Sequence, residues 1–157
     1  MSGEILFLAH RVPYPPDRGA KIRSWNVLKA IAARAPAHVV GLADAADDPD
    51  AGRAEIGAIA SFHVEPISLS RPQAVVKALL TGQPASVCAF SSKSLTARVH
   101  ALLAERPIRT IYAFSGQMAQ FVPLQRAGHR FVMDFVDMDS AKFAAFAAAQ
   151  RGLSGFA

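Results

Sequence analysis

Three polar stretches interrupt an otherwise apolar pattern, and each has residue types that could do chemistry. The first is Asp17-Arg18-Gly19-Ala20-Lys21, at the start of a helical periodicity. A helix start offers unpaired backbone N–H groups and a partial positive charge, which suits a phosphate. Gly19 would let a ligand approach the backbone closely, and Arg18 and Lys21 would add charge. The second stretch is Asp134-Phe135-Val136-Asp137-Met138-Asp139. A carboxylate inside an apolar strand, as Asp134 would be, needs a partner or a raised pKa. Asp137 falls at the strand end, where it could act as a base on a hydroxyl, and Asp139 suits a helix cap. The third pairs two strand ends, His10-Arg11 and Phe114-Ser115-Gly116.

Each stretch also has a plain structural reading. Gly19 could be a turn glycine among surface bases, and His10 a turn histidine with satisfied ring nitrogens. Asp137-Met138-Asp139 matches an Asp-x-Asp metal pattern, but two carboxylates make a weak oxygen-ligand site, and no metal is expected. His38, His63, His100 and His129 are scattered and read as surface or strand-edge residues. Trp25 reads as core, and Cys88 as a small buried hydrophobe.

Alternating strands and helices must position these residues. Apolar runs predict strands at 4–10, 38–43, 62–67, 109–114 and 130–136. Pro66 marks the third as a sheet edge. Periodicity predicts a helix over 20–35 with Ile22, Trp25, Leu28 and Ala32 on its inward stripe. A weak helix follows near 53–60. A short helix at 72–80 carries Val75, Val76, Leu79 and Leu80, and Thr81-Gly82-Gln83-Pro84 breaks it. The helix at 94–105 turns Leu95, Val99, Leu102 and Leu103 inward. A further helix bears Met118, Phe121, Val122 and Leu124, and a last one, capped by Asp139 or Ser140, buries Phe143 and Phe146.

This alternation predicts an α/β fold: a Rossmann-like, doubly wound parallel sheet with helices on both faces, in one domain over 1–157. In the strand order 3-2-1-4-5, ligands bind beyond the carboxyl ends of strands one and four. The three polar stretches converge there. Composition excludes several other classes. Of the 157 residues 52% are hydrophobic, which is not a disordered composition. No apolar run approaches the roughly 20 residues of a membrane span. The N-terminus has neither the basic start nor the length of a secretory signal, so a cytoplasmic location is expected. One cysteine makes neither an internal disulfide nor a cysteine-based zinc site. Gly19 stands alone, without the G-x-G-x-x-G or Walker A pattern, which disfavours dinucleotide and P-loop binding. The net charge of +5 permits nucleic-acid binding, but no aromatic-studded basic face supports it, and none is expected.

The segment from Phe7 to Ser24, FLAHRVPYPPDRGAKIRS, resembles the opening of the exosortase-A-associated (PEP-CTERM) sugar transferases, a branch of glycosyltransferase family 4. Leu79–Pro84, Tyr112–Gln120 and Val132–Lys142 agree with the same family, in the same order. The resemblance implies the acceptor-side N-terminal domain of a two-domain GT-B enzyme. Such an enzyme moves a sugar, usually with retention and without metal or cofactor, from a nucleotide-sugar to a glycan or lipid-linked acceptor, as in exopolysaccharide biosynthesis. It further implies that Arg18, Gly19, Ala20 and Lys21 contact the donor phosphates. Arg11, Tyr14, Ser115, Gly116 and Asp134 would line the acceptor cleft, with Asp137 and His10 as the catalytic candidates. Many relatives carry a histidine near the end of strand four or five; this chain has Phe114-Ser115 and Asp134–Asp137 there.

Family chains continue into a nucleotide-sugar domain with paired glutamates, so 157 residues are expected to be a fragment, inactive alone. Peripheral contact with the inner membrane face through Arg11, Arg18, Lys21 and Arg23 is also expected. The alternative is a non-catalytic anion-binding or interaction module of the same fold. A domain parted from its partner should bare an apolar patch or self-associate, whereas a self-sufficient module should not.

Overall fold

The computed structural model describes residues 3–124 and 128–136. Five strands form one all-parallel sheet: β1 (Glu4–Ala9), β2 (Ala37–Ala43), β3 (Ser61–Pro66), β4 (Ile108–Phe114) and β5 (Arg130–Asp134). Their spatial order is β3-β2-β1-β4-β5, so the chain reverses direction across the sheet between β1 and β4. The helices are α1 (Gly19–Ala32), α2 (Pro49–Gly57), α3 (Arg71–Thr81), α4 (Ala85–Ala89) and α5 (Lys93–Glu105), with a 3₁₀ helix at Gly116–Phe121. This is the Rossmann-like doubly wound arrangement expected from the alternation of elements. β3 lies at a sheet edge, where the missing N–H of Pro66 does no harm.

Strand alternation divides the core into two. Leu6, Leu8, Val40, Leu42, Ile111 and Ala113 point to the face covered by Leu95, Val99 and Leu102 of α5 and by Met118 and Phe121. Phe7, Ala9, Val39, Ala43 and Phe114 point to the opposite face, covered by Leu28 of α1 and Ile56 of α2, with Trp25 packed beside them. Both faces of the central strands are therefore buried, which explains their near-continuous apolar sequence. Gly52 lets α2 settle on the loop after β1; a Cβ there would stand 2.6 Å from Val12 Cγ1.

Four details differ from the sequence expectation. The buried face of α1 is Lys21, Ser24 and Leu28, and Ile22 is exposed. The helix is rotated because Lys21 finds a buried carboxylate, described below, that periodicity alone could not reveal. The segment after β4 is a 3₁₀ helix that buries Met118 and Phe121 and ends before Leu124, which is exposed. A short helix, α4, follows the Thr81–Pro84 break, with Pro84 as its N-cap, and buries Cys88. His38 is buried, not at the surface. The proposed last helix, with Ser140, Phe143 and Phe146, lies outside the described residues.

Candidate functional site

The strand register sets the site. Ala9 pairs with Phe114, so His10 and Ser115 leave the sheet side by side at the point where strand order reverses. Phe114 pairs with Asp134 on its other side. The His10 ring stacks on Phe114, with centroids 5.8 Å apart and planes 10° from parallel, and meets Phe90 edge-on at 6.2 Å. Imidazole is thus held flat against an aromatic floor at the carboxyl end of β1.

Ser115 has a φ of 85° and a ψ of 141°, an unusual backbone for any residue but glycine. Two contacts hold it there. Its N–H donates to the Asp134 carbonyl at 3.0 Å, and its hydroxyl donates to the Gln117 side chain. Gly116 opens the following turn, and a Cβ on it would meet no atom within 4 Å. The crevice floor beside β4 is therefore uncluttered.

Asp134 has the partners that its strand position demands. Tyr112 donates its hydroxyl to Oδ2 at 2.8 Å, and Arg23 of α1 donates to Oδ1 at 2.8 Å. Burial, with the Asp134 carboxylate beside it, pushes the Tyr112 phenol up to about 12. Tyr112 thus stays protonated and a donor at neutral pH. With both oxygens occupied, Asp134 fixes α1 over the ends of β4 and β5.

The first turn of α1 is also fixed by acids from the loop after β2. The Lys21 ammonium lies 3.1 Å from Asp47 Oδ1, with the two side chains 2% and 0% exposed, and 3.7 Å from Asp17. Arg11 reaches Asp44 at 2.7 Å. The sequence shows the basic residues 11–23 and the acidic residues 44–50 as separate runs; the fold brings them together. Lys21 is therefore a strut beneath the loop, and its charge is spent on carboxylates and does not face a ligand.

What remains open at the start of α1 is Asp17, Arg18 and Gly19, all exposed, with Ala20 half-buried behind them. Among the described residues no side chain caps the helix and none fills the space where a Cβ on Gly19 would stand. Among the described residues Arg18 pairs with the exposed Asp17, at 3.3 Å. The Asp17 carboxyl is partly desolvated, but Lys21 and Arg18 beside it outweigh that and hold it below its usual range. An anion here would meet free N–H groups and Arg18, with Asp17 opposing it. Tyr14 packs edge-on against Trp25, centroids 5.3 Å apart, and so stiffens the loop. Lys29 lies 5.7 Å from the Trp25 ring centre.

His10, Arg11, Ser115, Gly116, Asp134 and the start of α1 thus lie at the carboxyl ends of the strands around the β1–β4 switch. Asp137 and the Asp137-Met138-Asp139 tripeptide lie outside the described residues. Sequence reasoning missed Arg23 as the partner of Asp134 and Asp47 as that of Lys21. The signal available was charge: a buried carboxylate or ammonium requires an opposite charge from elsewhere in the chain. Among the described residues no helix is long and apolar enough to cross a membrane. Comparison with known proteins gives no matching family model, no matching curated protein and no matching solved structure.

Proposed function

We propose that this chain is the acceptor-side domain of a GT-B sugar transferase of the exosortase-A-associated kind. The whole enzyme moves a hexose, with retention, from a nucleotide-sugar to a lipid-linked or exopolysaccharide acceptor on the cytoplasmic side of the membrane. The observation that carries the reading is the convergence of His10, Ser115-Gly116 and the uncapped start of α1 at the strand-order reversal. Ligands of open parallel sheets lie in that crevice.

In this reading the acceptor hydroxyl lies over the crevice between β1 and β4. His10, braced by Phe114, orients or deprotonates it, and Asp137 shares that role. The strained Ser115 and the open Gly116 shape the floor. Arg18 and the N–H groups of Gly19 and Ala20 meet the donor diphosphate, which a C-terminal domain delivers. Lys21 supports this loop without touching the ligand. The alternative, a compact non-catalytic anion-binding module, predicts no extensive apolar exposure.

The test is transfer. The 157-residue chain alone should turn over no nucleotide-sugar. Joined to the C-terminal domain of an exosortase-A-associated transferase, it should label a lipid-linked acceptor with radioactive sugar. Arg18→Glu should lower kcat/KM about tenfold or more, as the loss of one charge-assisted phosphate contact does. Turnover by the chain alone would refute the division of labour, and full activity in Arg18→Glu would refute the anion role. Lys21→Glu is unsuitable for this purpose because it would bury an extra carboxylate beside Asp47.

A further inference from the structure

α3 is turned inside out compared with an ordinary surface helix. It packs its small side onto the domain, with Ala74 buried and Ala78 half-buried. Its aliphatic side faces solvent: Val75 is 50% exposed, Val76 56%, Leu79 80% and Leu80 82%. At 3.6 residues per turn these four fall within one arc of about 140°. The inward side is held by a polar link, Lys77 Nζ donating to Ser91 Oγ at 2.6 Å. A contiguous apolar face of this kind on a small domain marks a contact surface.

The surrounding charge selects the occupant. Residues 66–104 contain Arg71, Lys77, Lys93 and Arg98 and no Asp or Glu. A cleft of about 800 Å³ borders α3 at Lys77 and the start of α5 at Lys93, and Ser91, Ser92, Ser94 and Thr96 line it with hydroxyls. Its one carboxylate, Glu65, accepts from Ser92 at 2.8 Å and from Ser94. Burial raises the Glu65 carboxyl, but the bonds from Ser94, Ser92 and His63 outweigh it and leave the group below its usual range, hence ionised. Among the described residues neither Lys77 nor Lys93 has a carboxylate partner. An aliphatic ridge beside uncompensated cations and hydroxyls matches a negatively charged bilayer surface. A second copy of this chain would meet the same ridge with the same positive charge, which opposes a symmetric contact.

We propose that α3 docks the protein on an anionic membrane. Val75, Val76, Leu79 and Leu80 enter the boundary between headgroups and acyl chains, and the exposed Lys93 meets the lipid phosphates. None of these residues belongs to the crevice at β1 and β4, and the proposal stands whether or not the chain transfers sugar.

The test is flotation of the 157-residue chain with vesicles of phosphatidylcholine alone or with about 30% phosphatidylglycerol, which gives a negative surface potential. Binding is expected with the anionic vesicles only. It should weaken about tenfold or more in Leu79→Ser/Leu80→Ser, where insertion is lost, and also on raising salt to about 0.5 M, where screening shortens. Lys93→Glu, at an exposed site, should weaken it without touching the apolar ridge. Thermal unfolding should be the same in all variants, since exposed substitutions typically change stability by under about 0.5 kcal/mol. The proposal fails if the wild-type chain ignores anionic vesicles, or if Leu79→Ser/Leu80→Ser binds them equally well. It also fails if the ridge instead holds a protein dimer, seen by sedimentation, that the double variant dissolves while vesicle binding is absent.

Discussion

Ser115 leaves β4 in a conformation that costs a residue with a Cβ about 1–3 kcal/mol. Glycine would relieve that strain but lose more backbone entropy on folding, a penalty of about 0.5–1 kcal/mol. Ser115→Gly should therefore raise stability by about 1 kcal/mol, seen as a higher urea midpoint at unchanged slope. A lower midpoint would mean that the hydroxyl's bond to Gln117, and not the backbone, dominates at this position. The Lys21–Asp47 pair makes an opposite case. Both side chains are buried, so removing one charge strands the other. Asp47→Ala should cost about 3 kcal/mol, while Lys21→Met/Asp47→Leu should recover much of that loss, because an apolar pair leaves no unpaired charge. Equal losses in the single and double variants, measured by urea unfolding, would show that the pair is held by its surroundings and not by mutual charge.

At the scale of elements, legibility followed the physical origin of each signal. Leu95, Val99 and Leu102 recur at helical spacing, and α5 buries all three. The apolar strands announced a sheet buried on both faces, and Pro66 announced its edge. Periodicity turns α1 one notch from its true orientation, which is set by Lys21 meeting Asp47 and Arg23 meeting Asp134, contacts spanning 26 and 111 residues. The 3₁₀ helix after β4 is shorter than the sequence pattern suggests, because four apolar residues, Met118, Phe121, Val122 and Leu124, are spaced as a longer helix would space them. The site was legible as three strand-end positions; how Asp134 and Lys21 are neutralised was not, since pairing across such separations leaves no local pattern. α5 offers a test at this scale. Ser92 accepts from the Leu95 N–H at 3.1 Å and donates to Glu65 at 2.8 Å, tying the helix start to the end of β3. Ser92→Ala should destabilise the protein by about 1–2 kcal/mol, the cost of an N-cap together with a bond to a charged group. Ser92→Asp restores the cap acceptor but places a carboxylate beside Glu65, and calorimetry should find it no more stable than the alanine variant.

Across the whole molecule, the two ends of the sheet are built differently. The carboxyl ends hold the crevice, with its strained serine and open glycines, while the amino ends are stitched together. Arg106, just before β4, donates to Glu4 on β1 at 2.7 and 2.9 Å. His38 on β2 lies 2.7 Å from the other side of Glu4 and 2.6 Å from Ser61 on β3. With Glu4 ionised, His38 Nε2–H donates to it, and Nδ1 on the far side of the ring shares a hydrogen bond with the Ser61 hydroxyl. One chain of hydrogen bonds therefore joins β1, β2 and β3 to the segment that leads into β4, at the end of the sheet away from the candidate chemistry. The bond from Arg106, then that from His38, holds the Glu4 carboxyl below its ordinary 4.5. A carboxyl depressed in the folded state contributes stability that is fully present above its unfolded value and is lost as pH falls through the folded one. Urea midpoints should thus be level down to about pH 5 and fall steadily below it, as such linkage requires. Glu4→Gln should be less stable at pH 7 and show a shallower acid limb. The limb should not vanish, because Asp17 and Glu65 are also depressed. An acid limb of equal slope in the variant would mean that protonation elsewhere, not the opening of this stitch, unfolds the sheet in acid.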